Sequence, residues 1–255
     1  MDHSNTSLKV LVEETPGQAT ALAANLIKTV ICDAVSARNA CHIALAGGTT
    51  PHLLYQQLAR SCASGEVPWG QVQVFFGDER DVPHDHVESN YHMAAKTLLD
   101  HVPVEPGHVH PMPADSADLA RAAADYEQNV RRVVPTAGGE IPRFDCILLG
   151  MGADGHTASL FPGTEAVGET GKLVTSNFVP VLGRNRMTFS FPLINAARSV
   201  ILLVTGEDKA AAVAALLGDD PAARADLPVA RLAMDERFIL VLDAPAARRS
   251  EFRQD

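Results

Sequence analysis

The stretch Cys146–Gly163, CILLGMGADGHTASLFPG, decides how the rest of the chain is read. Cys146–Leu149 is a short, continuous apolar run, the pattern of a strand buried on both faces. It breaks into Gly150-Met151-Gly152-Ala153-Asp154-Gly155-His156, where three glycines allow a sharp turn or a close approach of backbone to ligand. His156 stands at the tip beside Asp154 and ahead of Thr157 and Ser159. In an open parallel sheet, ligands lie beyond the carboxyl ends of the strands, and this loop falls there. The plainer alternative is a glycine-rich turn whose histidine caps a helix; the density of Gly, Asp and His favours a site.

Working outward, strands are expected at Leu8–Val12, Ile43–Ala46, Val72–Phe76, Ser199–Val204 and Phe238–Val241, with Ile43–Ala46 and Ser199–Val204 reading as buried. A helix from Thr15-Pro16-Gly17-Gln18 to about Val35 is expected, with Thr15 as cap, Pro16 at the first helical position and Gln18 completing a capping box. Its core face carries Ala19, Leu22, Ala23, Leu26, Ile27, Val30 and Ile31. Gly47-Gly48-Thr49-Thr50-Pro51 leads from strand to helix, so free N–H groups of a first turn make it a plausible anion cradle. It lacks the GxxxxGK[ST] and GxGxxG patterns of nucleotide sites. Gly77–Pro83 reads as a charged turn at the mouth of the sheet, and Ser89 as the cap of a helix through Leu99.

An alanine-rich helix fits Asp118 to about Val134, ended by Pro135 and Gly138-Gly139. Thr175–Val181 and Arg186–Phe191 read as strands joined by a turn at Gly183-Arg184-Asn185, the second with a polar face of Arg186, Thr188 and Ser190. Thr205-Gly206-Glu207-Asp208 opens a helix through Leu217. Lys209 in its first turn opposes the helix dipole unless an anion lies there. Repeated strand–helix alternation makes the fold class α/β, with a mostly parallel sheet flanked by helices and the strands around 175–191 as a β extension. No long linker divides the chain, so a single domain over 1–255 is expected.

The net charge of -10 argues against a nucleic-acid surface, although a few local cations still suit a small anionic substrate. Cys32, Cys41, Cys62 and Cys146 have neither CxxC spacing nor disulfide-scaffold density, which fits reduced thiols and a cytoplasmic location. The N-terminus has no signal-peptide pattern, and no uninterrupted apolar run approaches a membrane span. The histidines between His84 and His110 lack metal-ligand spacing, so no metal site is expected.

Taken together, ALAGGTTP at 44–51, FFGDERDVP at 75–83, SNY at 89–91, LLGMGADGHTASLFPG at 148–163, RMT at 186–188 and TGEDKA at 205–210 resemble the 6-phosphogluconolactonase family. The resemblance spans residues 8 to 242, with GDER and GxGxDGHTASLFP its most specific parts. It implies a modified Rossmann-like sheet, shared with glucosamine-6-phosphate isomerases/deaminases. It also implies hydrolysis of 6-phospho-D-glucono-1,5-lactone to 6-phosphogluconate, the second step of the oxidative pentose phosphate pathway, with no required cofactor. The isomerase/deaminase relatives carry a DE-aromatic segment and an HIAFNEPG-like run. Here Arg80 follows Asp78-Glu79, and Ser159-Leu160-Phe161-Pro162 stands in the second place, without the glutamate that partners the histidine in ring opening.

The resemblance and the residue chemistry together assign roles. His156 is the expected general base, since an imidazole ordinarily titrates near about 6.5. Asp154 orients it or holds the water, and Arg80 stabilises the oxyanion or orients the lactone oxygens. Asp78 and Asn90 order the pocket or contact sugar hydroxyls. Gly48, Thr49, Arg186 and Lys209 hold the phosphate, with Arg184 a less certain neighbour. A serine-nucleophile mechanism through Ser159 is set aside because no GxSxG elbow exists. The expected partner is a phosphorylated sugar lactone, with no nucleic acid and no membrane, and a monomer is expected with a dimer left open. A glucosamine-6-phosphate isomerase/deaminase and a non-catalytic sugar-phosphate sensor are the competing readings.

Overall fold

Cys146–Leu149 forms β5, near the centre of a six-stranded sheet in a computed structural model that describes residues 8–61, 65–136 and 141–250. The other strands are β1 (Lys9–Glu13), β2 (Cys41–Leu45), β3 (Val72–Phe76), β8 (Val200–Val204) and β9 (Phe238–Asp243). Their order is β1-β9-β8-β5-β2-β3, and every pairing is parallel. All residues of β2, β5 and β8 are buried, which is why their sequences are continuous rather than alternating.

Helices α1 (Pro16–Arg38), α2 (Thr49–Ser61), α3 (Asn90–Thr97) and α4 (Leu119–Val133) flank this sheet, followed by α5 (Phe191–Ala196), α6 (Ala210–Leu217), α7 (Pro221–Ala225) and α8 (Ala244–Ala247). Thr15 caps α1 by accepting from the Gln18 N–H at 3.3 Å. The reciprocal contact runs from the Thr15 hydroxyl to Gln18 Oε1, not from the backbone N–H a capping box uses. Ser89 caps α3 as expected, and Asp118, read only as the start of its helix, caps α4. The glycine pair 138–139, expected to end α4, lies outside the described residues.

Among the described residues α1 is long and apolar enough to cross a membrane by length and composition, although it is no uninterrupted apolar run. Lys28 and Asp33 interrupt it, and Ala19, Ala23, Ile27, Ile31 and Ala34 pack into the common core.

Two further expectations are corrected. Gly77–Pro83 is not simply a turn, because Asp78–Arg80 forms β4. It pairs antiparallel with β7 (Arg184–Phe189), which pairs with β6 (Val174–Val179), making a separate three-stranded sheet. The chain passes from one sheet to the other at Gly77, whose N–H donates to Leu45 and whose carbonyl accepts from Phe189. The turn between β6 and β7 is Pro180–Gly183, closed by Leu182 to Val179 and Gly183 to Pro180, so Arg184 and Asn185 are strand residues. Thr188 and Ser190, read as a polar face, are fully buried.

Candidate active site

Three adjacent strands, β8, β5 and β2, deliver their carboxyl-end loops side by side, and the loops enclose a cleft of about 260 Å³. Its wall includes Gly48, Thr49, Asp78, Arg80, Asn90, His156 and Lys209. Asp154 and Arg186 stand behind that wall, one against His156 and one across the strand pair from Arg80.

The β2 loop is shaped by what must fit beside it. A side chain at Gly47 would collide with the Asn90 carboxamide, 1.9 Å from an added Cβ, and Gly48 has φ +100°. The Thr50 hydroxyl meets the Thr205 hydroxyl at 2.9 Å, tying this loop to the one after β8. On the far side, the buried Asp243 carboxylate accepts from the Gly206 N–H at 3.0 and 3.1 Å and from the Ala246 N–H at 2.8 Å. That holds the short turn Glu207–Lys209 which ends on Lys209. Lys209 has an anionic partner within the chain, Asp208 at 2.6 Å, which corrects the expectation that only a ligand would balance it.

The β5 loop folds on itself. The Gly152 N–H donates to the His156 carbonyl at 2.9 Å, and the Gly155 N–H to the Gly152 carbonyl at 3.0 Å. A Cβ at Gly152 would lie 2.2 Å from the His156 ring, so this glycine makes room for the imidazole. His156 Nδ1 lies 2.6 Å from Asp154 Oδ1, and the ring stacks on Phe161 with centroids 4.0 Å apart. Partial burial pushes the Asp154 carboxyl up, but His156 and loop N–H groups outweigh it and hold the group below its ordinary value. A carboxylate on Nδ1 fixes the Nδ1–H tautomer and leaves Nε2 to accept a proton.

The β4 segment carries the remaining polar groups. Asp78 accepts from Ser159 Oγ at 2.7 Å and from Asn90 Nδ2 at 3.3 Å, so its hydrogen-bond partners are these neutral groups. Burial pushes the Asp78 carboxyl up, opposed by Ser159 and by the positive charges of Arg80 and Arg186. Arg80 Nη1 donates to the Glu88 carbonyl at 2.9 Å. Ser159 is buried and spends its hydroxyl on Asp78 and not on His156, which supports setting the serine nucleophile aside.

Arg186 Nη1 donates to the Asn185 carbonyl and lies 3.6 Å from Asp81. Arg184 is engaged more firmly, at 2.8 Å from Asp81 and 3.5 Å from Glu88.

Sequence reasoning missed Glu79. It is fully buried and accepts from the N–H groups of Arg80, Asn90 and Tyr91 at 2.8, 2.8 and 2.9 Å and from Ser89 Oγ at 3.0 Å. One carboxylate thereby stitches β4 to the first turn of α3, though burial still pushes it up from its ordinary value. The available signal was a carboxylate three residues after a largely apolar strand, ten before a helix cap.

The family model for glucosamine-6-phosphate isomerases/6-phosphogluconolactonase matches residues 14–240. The chain belongs to that family. Within the isomerase/lactonase family its relatives include a 6-phosphogluconolactonase of Synechocystis, 44% identical over 183 residues, 72% of this chain and 74% of that one. Another, from Streptomyces coelicolor, is 38% identical over 250 residues, 96% and 95% of the two chains. A solved 6-phosphogluconolactonase from Trypanosoma cruzi superposes with a TM-score of 0.84 at 30% identity, over 99% of this chain and 100% of that one. A monomeric glucosamine-6-phosphate deaminase matches with a TM-score of 0.81 over 94% and 99% of the two chains; at 21% identity it shows the shared fold alone.

Proposed function

We infer that this chain is a hydrolase that opens 6-phospho-D-glucono-1,5-lactone to 6-phospho-D-gluconate, serving the oxidative pentose phosphate pathway. The observation that carries the reading is the pairing of His156 with Asp154 at 2.6 Å in a cleft shared with Lys209 and Thr49. The relatives bearing the lactonase name span most of the chain and support it. The isomerase/deaminase alternative needs a glutamate partner for the histidine, and Leu160-Phe161 stands in that part of the loop.

His156 Nε2 takes a proton from a water as its oxygen attacks the lactone carbonyl carbon, while Asp154 steadies the imidazolium that forms. Arg80 offers N–H donors to the oxygen that gains charge. The tetrahedral intermediate collapses by breaking the bond to the ring oxygen, which receives the proton back from His156. The collapse yields a free hydroxyl and a carboxylic acid, which releases its proton to solvent to leave the carboxylate, and no covalent enzyme intermediate is required. Lys209, the Thr49 hydroxyl and the Gly48–Thr49 backbone grip the phosphate at the other end, with Arg186 adding positive charge from behind. Asp78 and Asn90 hold the sugar side of the cleft. Binding at the unreactive end helps orient the carbonyl over the base.

A lactonase assay with freshly generated substrate, corrected for spontaneous hydrolysis, tests the function. His156→Ala is expected to lose about 10²–10⁴-fold in rate while still binding 6-phosphogluconate. Turnover near that of the wild type would remove His156 as the base. Ammonia release from glucosamine 6-phosphate would instead favour the deaminase.

A further inference from the structure

The segment after α7 packs on the β5 loop at Gly155, between Asp154 and His156. Gly155 has φ +76°, a conformation that suits glycine. Its Cα face is covered by Leu227: an added Cβ would lie 2.5 Å from Leu227 Cδ2 and 3.1 Å from its Cβ. Its carbonyl accepts from the Val229 N–H at 3.0 Å. Val229 is fully buried, and Leu227 packs partly buried against the core. Leu227 lines two grooves, of about 340 and 540 Å³, that run along the segment. Its anchors there are specific bonds: Arg231 Nη1 to the Val167 carbonyl at 2.9 Å and Asn195 Nδ2 to the Arg231 carbonyl at 3.0 Å.

We propose that Leu227 and Val229 form a latch on Gly155 that holds Asp154 and His156 in register, making Leu227 a positioning residue for lactone hydrolysis. The role rests on His156 being the base, as inferred above. Gly155 is the joint of the pair, so rotation of its peptide planes moves the carboxylate relative to the imidazole. With Cβ absent, the joint is restrained within the loop only by its hydrogen bonds, Gly155 to Gly152 and Gly152 to His156, and the latch adds a packing restraint to them. A misplacement of about 1 Å at a reacting group costs up to about 10²-fold in rate.

Leu227→Ala is expected to lower kcat about tenfold with KM within about twofold of wild type. Leu227→Val should lose less, and Leu227→Met, which refills most of the volume, should restore kcat to within about twofold. Imidazole ¹⁵N shifts, with His156 assigned from the spectrum of His156→Ala, should show the Nδ1–H tautomer in the wild type and a mixture in Leu227→Ala. An active His156→Ala enzyme would defeat the base assignment itself. With His156→Ala inactive, an unchanged kcat in Leu227→Ala and Leu227→Val overturns the latch. So does a loss that only tracks the unfolded fraction while the His156 tautomer stays as in the wild type. If Leu227→Ala does not fold, the Val and Met variants decide by the same criteria.

Discussion

Replacing Asp154 by Asn tests the chemistry at its most specific contact. The change keeps the side-chain shape and leaves an oxygen able to accept from His156 Nδ1, so the ring orientation partly survives. The loss falls on the imidazolium formed as water is deprotonated. The two side chains are 46% and 29% exposed, so their surroundings lie between water and a protein-surface site. Unit charges about 4 Å apart attract by about 1 kcal/mol in the first and about 4 kcal/mol in the second. A middle value of about 2 kcal/mol corresponds to about 30-fold in rate.

We therefore expect kcat to fall about 10–100-fold, well short of the roughly 10⁴-fold loss of a fully buried triad carboxylate. KM should stay within about twofold. Initial rates on freshly generated lactone, followed through a dehydrogenase that consumes 6-phosphogluconate, give both constants. A kcat within about twofold of wild type would refute the pairing argument, and a loss confined to KM would reassign Asp154 to substrate binding.

Lys209→Ala is expected to lower kcat/KM on the phosphorylated lactone by about 10–100-fold, the worth of a charged hydrogen bond, and to leave unphosphorylated glucono-1,5-lactone nearly unchanged. Arg186→Ala should show the same selectivity with a smaller loss, because Arg186 stands behind the cleft wall; equal losses on both lactones would assign the pair to folding. Glu79→Gln turns an NH2 donor toward neighbouring donors, so a denaturant titration should show about 1–3 kcal/mol of destabilisation, and unchanged stability would contradict the stitching role. His110, stacked on Phe75, is pushed down from 6.5 to about 4 by burial and then by nearby Arg132, and its Nδ1 accepts from Asn129. Between those values the unfolded chain binds the extra proton, so stability should be full above pH 6.5 and decline toward pH 4. Removing this term in His110→Phe should flatten that slope in urea melts at stepped pH.

The central strands of the large sheet were legible because burial on both faces writes itself as a mostly unbroken apolar run. The loops at their ends were legible because Gly47, Gly152 and Gly155 answer local crowding. What escaped depends on partners distant in sequence. Asp78–Arg80 reads as a solvated turn until β7 pairs with it, and Glu79 reads as a surface charge until the start of α3 supplies its donors. The alternation through Arg186 and Thr188 marked one face correctly but not its burial. Thr188 lies beneath the catalytic loop, accepting from the Ser159 N–H at 3.2 Å. Leu227 carries no local signal at all, since its meaning lies in Gly155.

The strand order also fixes when each surface is covered as the chain is made. β2, β3 and β5 can assemble early, but β8 and β9 leave the ribosome late, and β1 pairs with β9 alone. α1 packs on β8 and β9 as well as on β2, so much of its resting place does not exist when it emerges. Until β8 and β9 are made, α1 has α2, β1 and β2 to pack on but lacks part of the surface that covers its apolar face. Completion of β9 supplies that surface and the one partner strand of β1 together, so the two edges of the fold's N-terminal part close in a single late step.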